Sequence, residues 1–295
     1  YDRINFEKGD LRDKDFLNSF FESYLNKKNK FDAVIHFAGL KSVRESNQNP
    51  LKYWDYNLKG TINLLNVMED YKCTNLVFSS SATIYGNING NSLIEESSII
   101  KPINTYGHTK ATIEKILEDL SKSKDLNWRI ASLRYFNPVG AHFSGLIGEN
   151  PLNIPNNILP TINKVAAGLI DKLKIFGNDW ETKDGTAIRD YVHVMDVADA
   201  HLIALEKILN NKFKFIKLNL GTGKGTSVLE LIRTFEKVNN VNVPFKYCLR
   251  RDGDVAYSVA DNKLAKTMLD WFPKKNLEEM CFDSWNWYRK NPEGF

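Results

Sequence analysis

Short apolar runs alternate with longer amphipathic runs through the first half of the chain, and this restricts the fold more than any other feature. Residues 4–7 make a short strand candidate that ends at Gly9-Asp10. Across residues 15–25, Phe16, Leu17, Phe20, Phe21, Tyr24 and Leu25 fall at helical spacing. Residues 31–37 form a near-continuous apolar run closed by Ala38-Gly39, as in a strand buried on both faces of a parallel sheet. Pro50 stands near the start of a helix that runs to Tyr71. The next strand, residues 75–78, enters the small-residue run Ser79-Ser80-Ser81-Ala82-Thr83. A helix over 105–123 and a strand over 128–136 follow. Such alternation packs as a doubly wound α/β sheet with right-handed crossovers. Ligands on these sheets bind beyond the carboxyl ends of the strands. That points to Asp10, residues 38–41, residues 79–81 and Phe136-Asn137.

After Asn137 the texture changes. Pro138, Gly140, Gly145, Gly148, Pro151, Pro155 and Pro160 make a loop-rich stretch. Later elements are shorter, with helical patterns over 195–209 and 227–238. The chain therefore reads as two domains, 1–137 and a smaller α/β domain over 138–295, with some later segments returning to the sheet.

Composition narrows the functional class. The chain is 42% hydrophobic and 26% charged, which excludes a disordered, collagen-like or disulfide-framework protein. Its 40 basic against 36 acidic residues leave a net charge of +4, interspersed rather than gathered. The one basic block, Lys27-Lys28-Asn29-Lys30, reads as a solvated helix end, so no nucleic-acid partner is expected. There is no signal-peptide pattern and no apolar run of about 18–20 residues, so no membrane partner is expected either. Cys73, Cys248 and Cys281 form no paired spacing and leave one over. They read as reduced thiols of a cytoplasmic protein, with no metal site.

The strongest local chemical signal is Tyr106-Gly107-His108-Thr109-Lys110. On a helix, Tyr106 and Lys110 share one face. A phenol titrates near pH ~10 and is a poor base at neutrality. A neighbouring ammonium lowers that pKa and makes the pair a general acid/base for a hydroxyl or carbonyl. Ser81, at a strand end before Tyr106, can bond the same substrate oxygen.

Ser81, Tyr106 and Lys110 in this order resemble the short-chain dehydrogenase/reductase family. Longer strings narrow the likeness: FAGLK (37–41), SSSATIYG (79–86), RYFNPVGAH (134–142), IPNNILP (154–160) and GTAIRDYVHVMD (185–196). Together they are similar to the UDP-galactose 4-epimerases, extended members of that family. The likeness spans nearly the whole chain. It implies a Rossmann-like sheet with a smaller substrate domain, a tightly held NAD and a UDP-hexose substrate. Hydride would leave C4 of the sugar, and the 4-keto sugar would take it back on its other face.

The likeness also implies residue roles. Tyr106 would take the proton of the sugar 4-hydroxyl, assisted by Ser81, while Lys110 lowers its pKa and holds the nicotinamide ribose. Asp10 and Leu11 would lie near the adenine. Phe37, Ala38, Gly39, Leu40 and Lys41 would follow the pyrophosphate and ribose, joined by Asn57 and Phe136. Arg189 and Arg251 would clamp the substrate diphosphate, as guanidinium forks do. Asp254 would bond a ribose, Phe176 would lie beside the uracil, and Lys41, Asn137 and Asn157 would contact the sugar nucleotide. Ser258 falls where relatives carry either a tyrosine or a small residue beside the sugar 2-position. A small side chain there implies that the N-acetylhexosamine pair is also accepted, although a one-residue shift would put Tyr257 in its place. Helices near 50–71 and 105–123 would form a homodimer through a four-helix bundle.

Other readings remain at this stage. Another UDP-sugar epimerase or dehydratase of the family is one, although a dehydratase would place an acidic pair after Ser81, where Ala82-Thr83 stand. A non-catalytic relative would have a broken triad, and this one is intact. A dinucleotide fold opens with a strand and a Gly-rich turn, and no such stretch occurs here. Gly221-Thr222-Gly223-Lys224-Gly225 lies too late and reads as a tight connection. Since the chain opens on Tyr1, the first βαβ unit is expected to be absent, NAD to be held weakly, and NAD/NADP selectivity to be unreadable.

Overall fold

The computed structural model describes residues 4–26, 30–88, 90, 92–124, 126–151, 155, 157–251 and 253–294. Tyr1, residues 27–29 of the basic block, and Ile154 and Asn156 of the IPNNILP string lie outside the described residues. In chain order the elements begin with α1 (Lys14–Asn26), β1 (Val34–His36), α2 (Val43–Gln48), α3 (Pro50–Tyr53), a π-helical segment (Trp54–Lys59) and α4 (Gly60–Asp70). Then come β2 (Asn75–Ser81), α5 (Thr105–Ser121), β3 (Arg129–Tyr135), β4 (Asn137–Val139), α6 (Ile158–Ala166) and β5 (Leu173–Phe176). They are followed by β6 (Ile188–Arg189), β7 (Tyr191–His193), α7 (Val194–Leu209), β8 (Phe215–Leu220), β9 (Thr226–Ser227) and α8 (Val228–Asn239). The last are β10 (Phe245–Cys248), β11 (Tyr257–Ser258), α9 (Lys263–Leu269) and α10 (Leu277–Lys290).

The chain groups into two compact units, each discontinuous. The first comprises Tyr1–Ile84, Pro102–Leu133 and Ala204–Lys217; the second comprises Tyr85–Lys101, Arg134–Ile203 and Leu218–Phe295. A four-stranded sheet has the order β1-β2-β3-β8. Within it β1 lies parallel to β2, with His36 opposite Phe78. In the first unit, Leu17 and Phe21 of α1, Leu64, Leu65 and Met68 of α4, and Ile113 and Leu117 of α5 form one core with Leu76, Phe78, Trp128 and Ile130. Each fully buried aliphatic side chain there contributes about 1.5–3 kcal/mol.

Two expectations change here. Residues 4–7 carry no strand, and Ile4 and Phe6 are exposed, because no described strand lies beside them to complete a ladder. β1 is the outermost strand of its sheet among the described residues, so Val34 and Ile35 are only half-buried, not covered on both faces.

The second unit is built from smaller sheets. β10 pairs with β5 in parallel, β4 with β7 in parallel, and β6 lies between β11 and β9. Its core joins Tyr191, Phe235, Trp285, Trp287 and Tyr288 with aliphatic residues of α6, β5 and α8. Helices α8 and α10 each start with a capping box, Ser227 with Glu230 and Asn276 with Glu279, which fixes where they begin.

Candidate active site

In the first unit the chemistry gathers on α5 and at the end of β2. Asn104 caps α5 by accepting the Gly107 N–H at 2.8 Å, which places Tyr106 in the first turn. A Cβ on Gly107 would lie 2.8 Å from the Thr83 carbonyl, so only glycine lets the helix start so close to the segment after β2. One turn later, Lys110 extends its Nζ to the Ser79 carbonyl at 2.6 Å. Its ammonium sits 4.7 Å from the Phe78 ring centroid and 5.9 Å from that of Tyr106. Ser81 is buried and accepts from Thr83, whose hydroxyl donates at 3.0 Å. The Ser81 hydroxyl lies near enough to the Tyr106 side chain to favour its charged form. The structure therefore brings Ser81, Tyr106 and Lys110 together.

The electrostatics correct one expectation. Burial raises the Tyr106 pKa, and the nearby Ser81 hydroxyl only partly opposes this. Lys110 is therefore not what sets the phenol here: desolvation outweighs any stabilisation of a phenolate. The same burial pushes Lys110 down to about 8, opposed by the charge of Glu114. Glu114 is itself buried and accepts hydroxyl bonds from Ser80 at 2.6 Å and Ser132 at 2.9 Å.

His36 is a satisfied core residue, bonded through Nε2 to the Thr61 hydroxyl at 2.9 Å. Burial, with Lys110 nearby, pushes its pKa down to about 3. The folded chain keeps it neutral where the unfolded chain protonates. Its contribution is therefore intact above pH ~6.5 and is lost as pH falls, by about 1.4 kcal/mol per unit down to pH ~3. The substitution His36→Gln is expected to flatten that part of the acid-stability curve, measured by denaturant unfolding at each pH.

Of the residues assigned to a dinucleotide, Phe37 to Lys41 follow β1 directly. Asn57, in the π-helical segment, is buried and holds Leu40 at both backbone groups, accepting its N–H at 2.7 Å and donating to its carbonyl at 3.0 Å. It also donates to the Thr109 hydroxyl at 3.2 Å, which ties the 38–41 loop to α5. A Cβ on Gly39 would come within 3.2 Å of Asn57 Oδ1 and 3.9 Å of Lys110 Nζ, so a bare backbone is needed there. Phe37 and Lys41 beside it are exposed. Asp10 is gripped by the Arg12 guanidinium, which holds its carboxyl down at about 2. It does not cap α1; Asp13 does, accepting the Phe16 N–H. The Leu11 carbonyl accepts from Asn63 of α4. An open glycine backbone, a pinned loop and an anchored acidic residue fit a dinucleotide cofactor.

The remaining assigned residues belong to the second unit. Phe136 is buried and donates its N–H to Leu220. Asn137 begins β4 and donates its N–H to the Asp190 carbonyl. Phe176 ends β5, and the Arg251 guanidinium stacks 3.6 Å from its ring centroid. Arg189, in β6, donates to the carbonyls of Ile188 and Val255 and lies 3.9 Å from the Asp254 carboxylate. Ser258 of β11 pairs with Arg189, while Tyr257 pairs with Ile188. Side chains alternate along a strand, so Ser258 shares the Arg189 side of the pair and Tyr257 takes the other. Asn157 precedes α6, is exposed and donates to Glu149 at 2.6 Å. Arg250 stacks on Trp180 and pairs with Asp179, apart from the Phe176 ring.

Sequence reasoning missed Thr83 and Glu114. Thr83 follows Ser81 by two residues, a spacing that lets its hydroxyl reach back. Glu114 extends the Tyr106–Lys110 spacing by one more turn, so the same four-residue rule reaches it. No group of three or more potential metal ligands occurs among the described residues. No described helix is long and apolar enough to cross a membrane.

Comparison with known proteins follows the same outline. The family profile described as GDP-mannose 4,6 dehydratase matches residues 1–283. A UDP-glucose 4-epimerase of Bacillus subtilis is 49% identical over 292 residues, covering 99% of this chain and 84% of that protein. The crystal structure of a Stenotrophomonas maltophila UDP-glucose-4-epimerase, with bound NAD and formylated UDP-arabinopyranose, superposes with a TM-score of 0.90 at 47% identity. That match covers 97% of this chain and 82% of the other. The UDP-Glc/GlcNAc 4-epimerase of Campylobacter jejuni superposes with a TM-score of 0.80 at 34% identity, covering 97% of this chain and 84% of the other.

Proposed function

This chain belongs to the UDP-glucose 4-epimerases of the extended short-chain dehydrogenase/reductase family, and from that premise we propose that it interconverts UDP-galactose and UDP-glucose at C4 with NAD as cofactor. The observation that carries the reading is the cluster of half-buried Tyr106 with buried Ser81 and Lys110, Ser81 being followed by Ala82-Thr83 rather than an acidic pair. Bound NAD supplies reversible hydride acceptance from the sugar C4. Asp10, Leu11, residues 37–41, Asn57, Lys110 and Phe136 would hold it.

The chain's own residues handle the proton. Tyr106 takes it from the 4-hydroxyl and returns it to the opposite epimer. Ser81, supplied with a hydrogen bond by Thr83, donates toward the same oxygen. Lys110 places a positive charge near Tyr106, and Ser79 and Glu114 hold that charge in place. Arg189, Arg251, Asp254, Phe176, Asn137 and Asn157 bind the UDP portion, with Arg251 and Phe176 already stacked as cation and ring. Incubation with UDP-galactose and excess NAD tests the reading: UDP-glucose is expected, and a 4-keto-6-deoxy product would favour a dehydratase instead.

A second reading rests on Ser258. Its register beside Arg189 puts a small side chain where the nucleotide sugar would be bound. The chain is therefore proposed to turn over the N-acetylhexosamine pair as well. Ser258→Tyr is expected to remove that activity, by at least about tenfold, while the plain pair is retained. Steady-state assay of both pairs checks it; equal loss on both would count against Ser258 as the selector.

A homodimer through α4 and α5 is also proposed, supported by the exposure of Ile62 on α4. Light scattering is expected to give twice the chain mass. A cytoplasmic location is supported by Cys73, Cys248 and Cys281 all being unpaired thiols.

A further inference from the structure

The Gly221-Thr222-Gly223 run looks like a loop that cradles an anion, and it does cradle one: a carboxylate of this chain. Asp190, between β6 and β7, is fully buried. Its Oδ1 accepts the Thr222 N–H at 2.7 Å and the Thr222 hydroxyl at 2.6 Å. Its Oδ2 accepts the N–H groups of Gly223 at 2.9 Å and Ala260 at 3.2 Å. A Cβ on Gly221 would lie 2.4 Å from Oδ2, and Gly223 has a φ of +76°. Both glycines are thus what allows successive backbone N–H groups to close on the carboxylate, as anion nests do.

The main chain of Asp190 reaches two segments assigned to the substrate. Its N–H donates to the Ser258 carbonyl at 3.0 Å, and its carbonyl accepts the Asn137 N–H at 3.0 Å. Its chain neighbour is Arg189. One residue therefore fastens β4, β11, Ala260 just after it and the loop after β8 by six hydrogen bonds, next in the chain to β6.

We infer that Asp190 is the positioning residue of the nucleotide-sugar half-site, holding Asn137, Arg189 and Ser258 at fixed mutual spacing through its nest of donors. This rests on the proposed binding of UDP-sugars by the second unit. An amide at this position has one acceptor and one donor where the carboxylate offers two acceptors. Asp190→Asn would turn an NH2 group toward N–H donors and loosen the set.

The test is calorimetric titration of the 295-residue chain with UDP, with steady-state kinetics on UDP-galactose. Asp190→Asn is expected to weaken UDP by at least about tenfold and to raise KM by a similar factor, with a much smaller change in kcat. Thr222→Val, which removes one donor and keeps the carboxylate, is expected to weaken UDP by about threefold, and Thr222→Ser to restore it. A general loss of folded protein would instead lower kcat at unchanged KM, and that pattern overturns the inference. If Asp190→Asn does not fold, Thr222→Val decides: unchanged UDP affinity overturns the inference. Absence of UDP binding by the unaltered chain overturns the underlying substrate reading instead.

Discussion

Tyr106→Phe is expected to lower the epimerisation rate by about 10³-fold, the scale on which a positioned general acid/base acts. The ring remains to fill its place at the start of α5, so thermal unfolding should shift little. KM should also change little, because Tyr106 is not among the residues assigned to the UDP portion. The loss falls on the proton transfer, since the Ser81 hydroxyl would face a ring edge instead of a phenol. Ser81 does not replace Tyr106 as the base, because an unassisted alcohol is a far weaker acid/base near neutrality. Steady-state kinetics on UDP-galactose decide the matter: retention of more than about a tenth of the rate would remove Tyr106 from its role.

Lys110→Met is expected to separate stability from activity. Burial holds the Lys110 pKa near 8 against an ordinary value of 10.5. The folded state therefore binds its proton less tightly than the unfolded state does. Stability rises with pH between ~8 and ~10.5, and below ~8 the buried charge costs about 3 kcal/mol. Methionine keeps the volume without the charge but leaves the Ser79 carbonyl without its Nζ donor, which costs about 1–3 kcal/mol. The net expectation for the cofactor-free chain is a gain of about 1–2 kcal/mol at pH 7 that turns into a loss of about 1–3 kcal/mol above pH ~10.5, where only the missing Ser79 bond remains, with activity lowered about 10²-fold or more. Urea unfolding across pH checks the first part and turnover the second. A variant that is both less stable and fully active would contradict both.

How far the sequence could be read depended on distance along the chain. The strand–helix alternation led to the sheet because periodicity is local; helix α5 and strands β2 and β3 lie close to where the spacing puts them. The Tyr106–Lys110 pair was legible because a helix fixes residues four apart on one face. The sign of the Tyr106 pKa was not, since proximity of a lysine can be read from spacing and desolvation cannot. Glu114 takes its hydroxyls from Ser80 on β2 and Ser132 on β3, elements brought together only by the fold. Asn57 holds Leu40 from a π-helical segment, a local rearrangement that the apolar pattern of residues 50–71 does not announce. The Gly221-Thr222-Gly223 run showed its glycines in the sequence, but its anion, Asp190, lies some thirty residues away between β6 and β7. Residues 4–7 show the converse: a short apolar–polar alternation forms no strand without a neighbour to pair with.

The most direct test follows one hydrogen atom. UDP-galactose deuterated at C4 is incubated with the chain and NAD, and the UDP-glucose formed is examined by NMR. If hydride leaves C4 and returns to it within one site while Tyr106 moves only the hydroxyl proton, the deuterium stays at C4 of the product. Loss of the label to solvent, or failure to form UDP-glucose at all, would contradict the account.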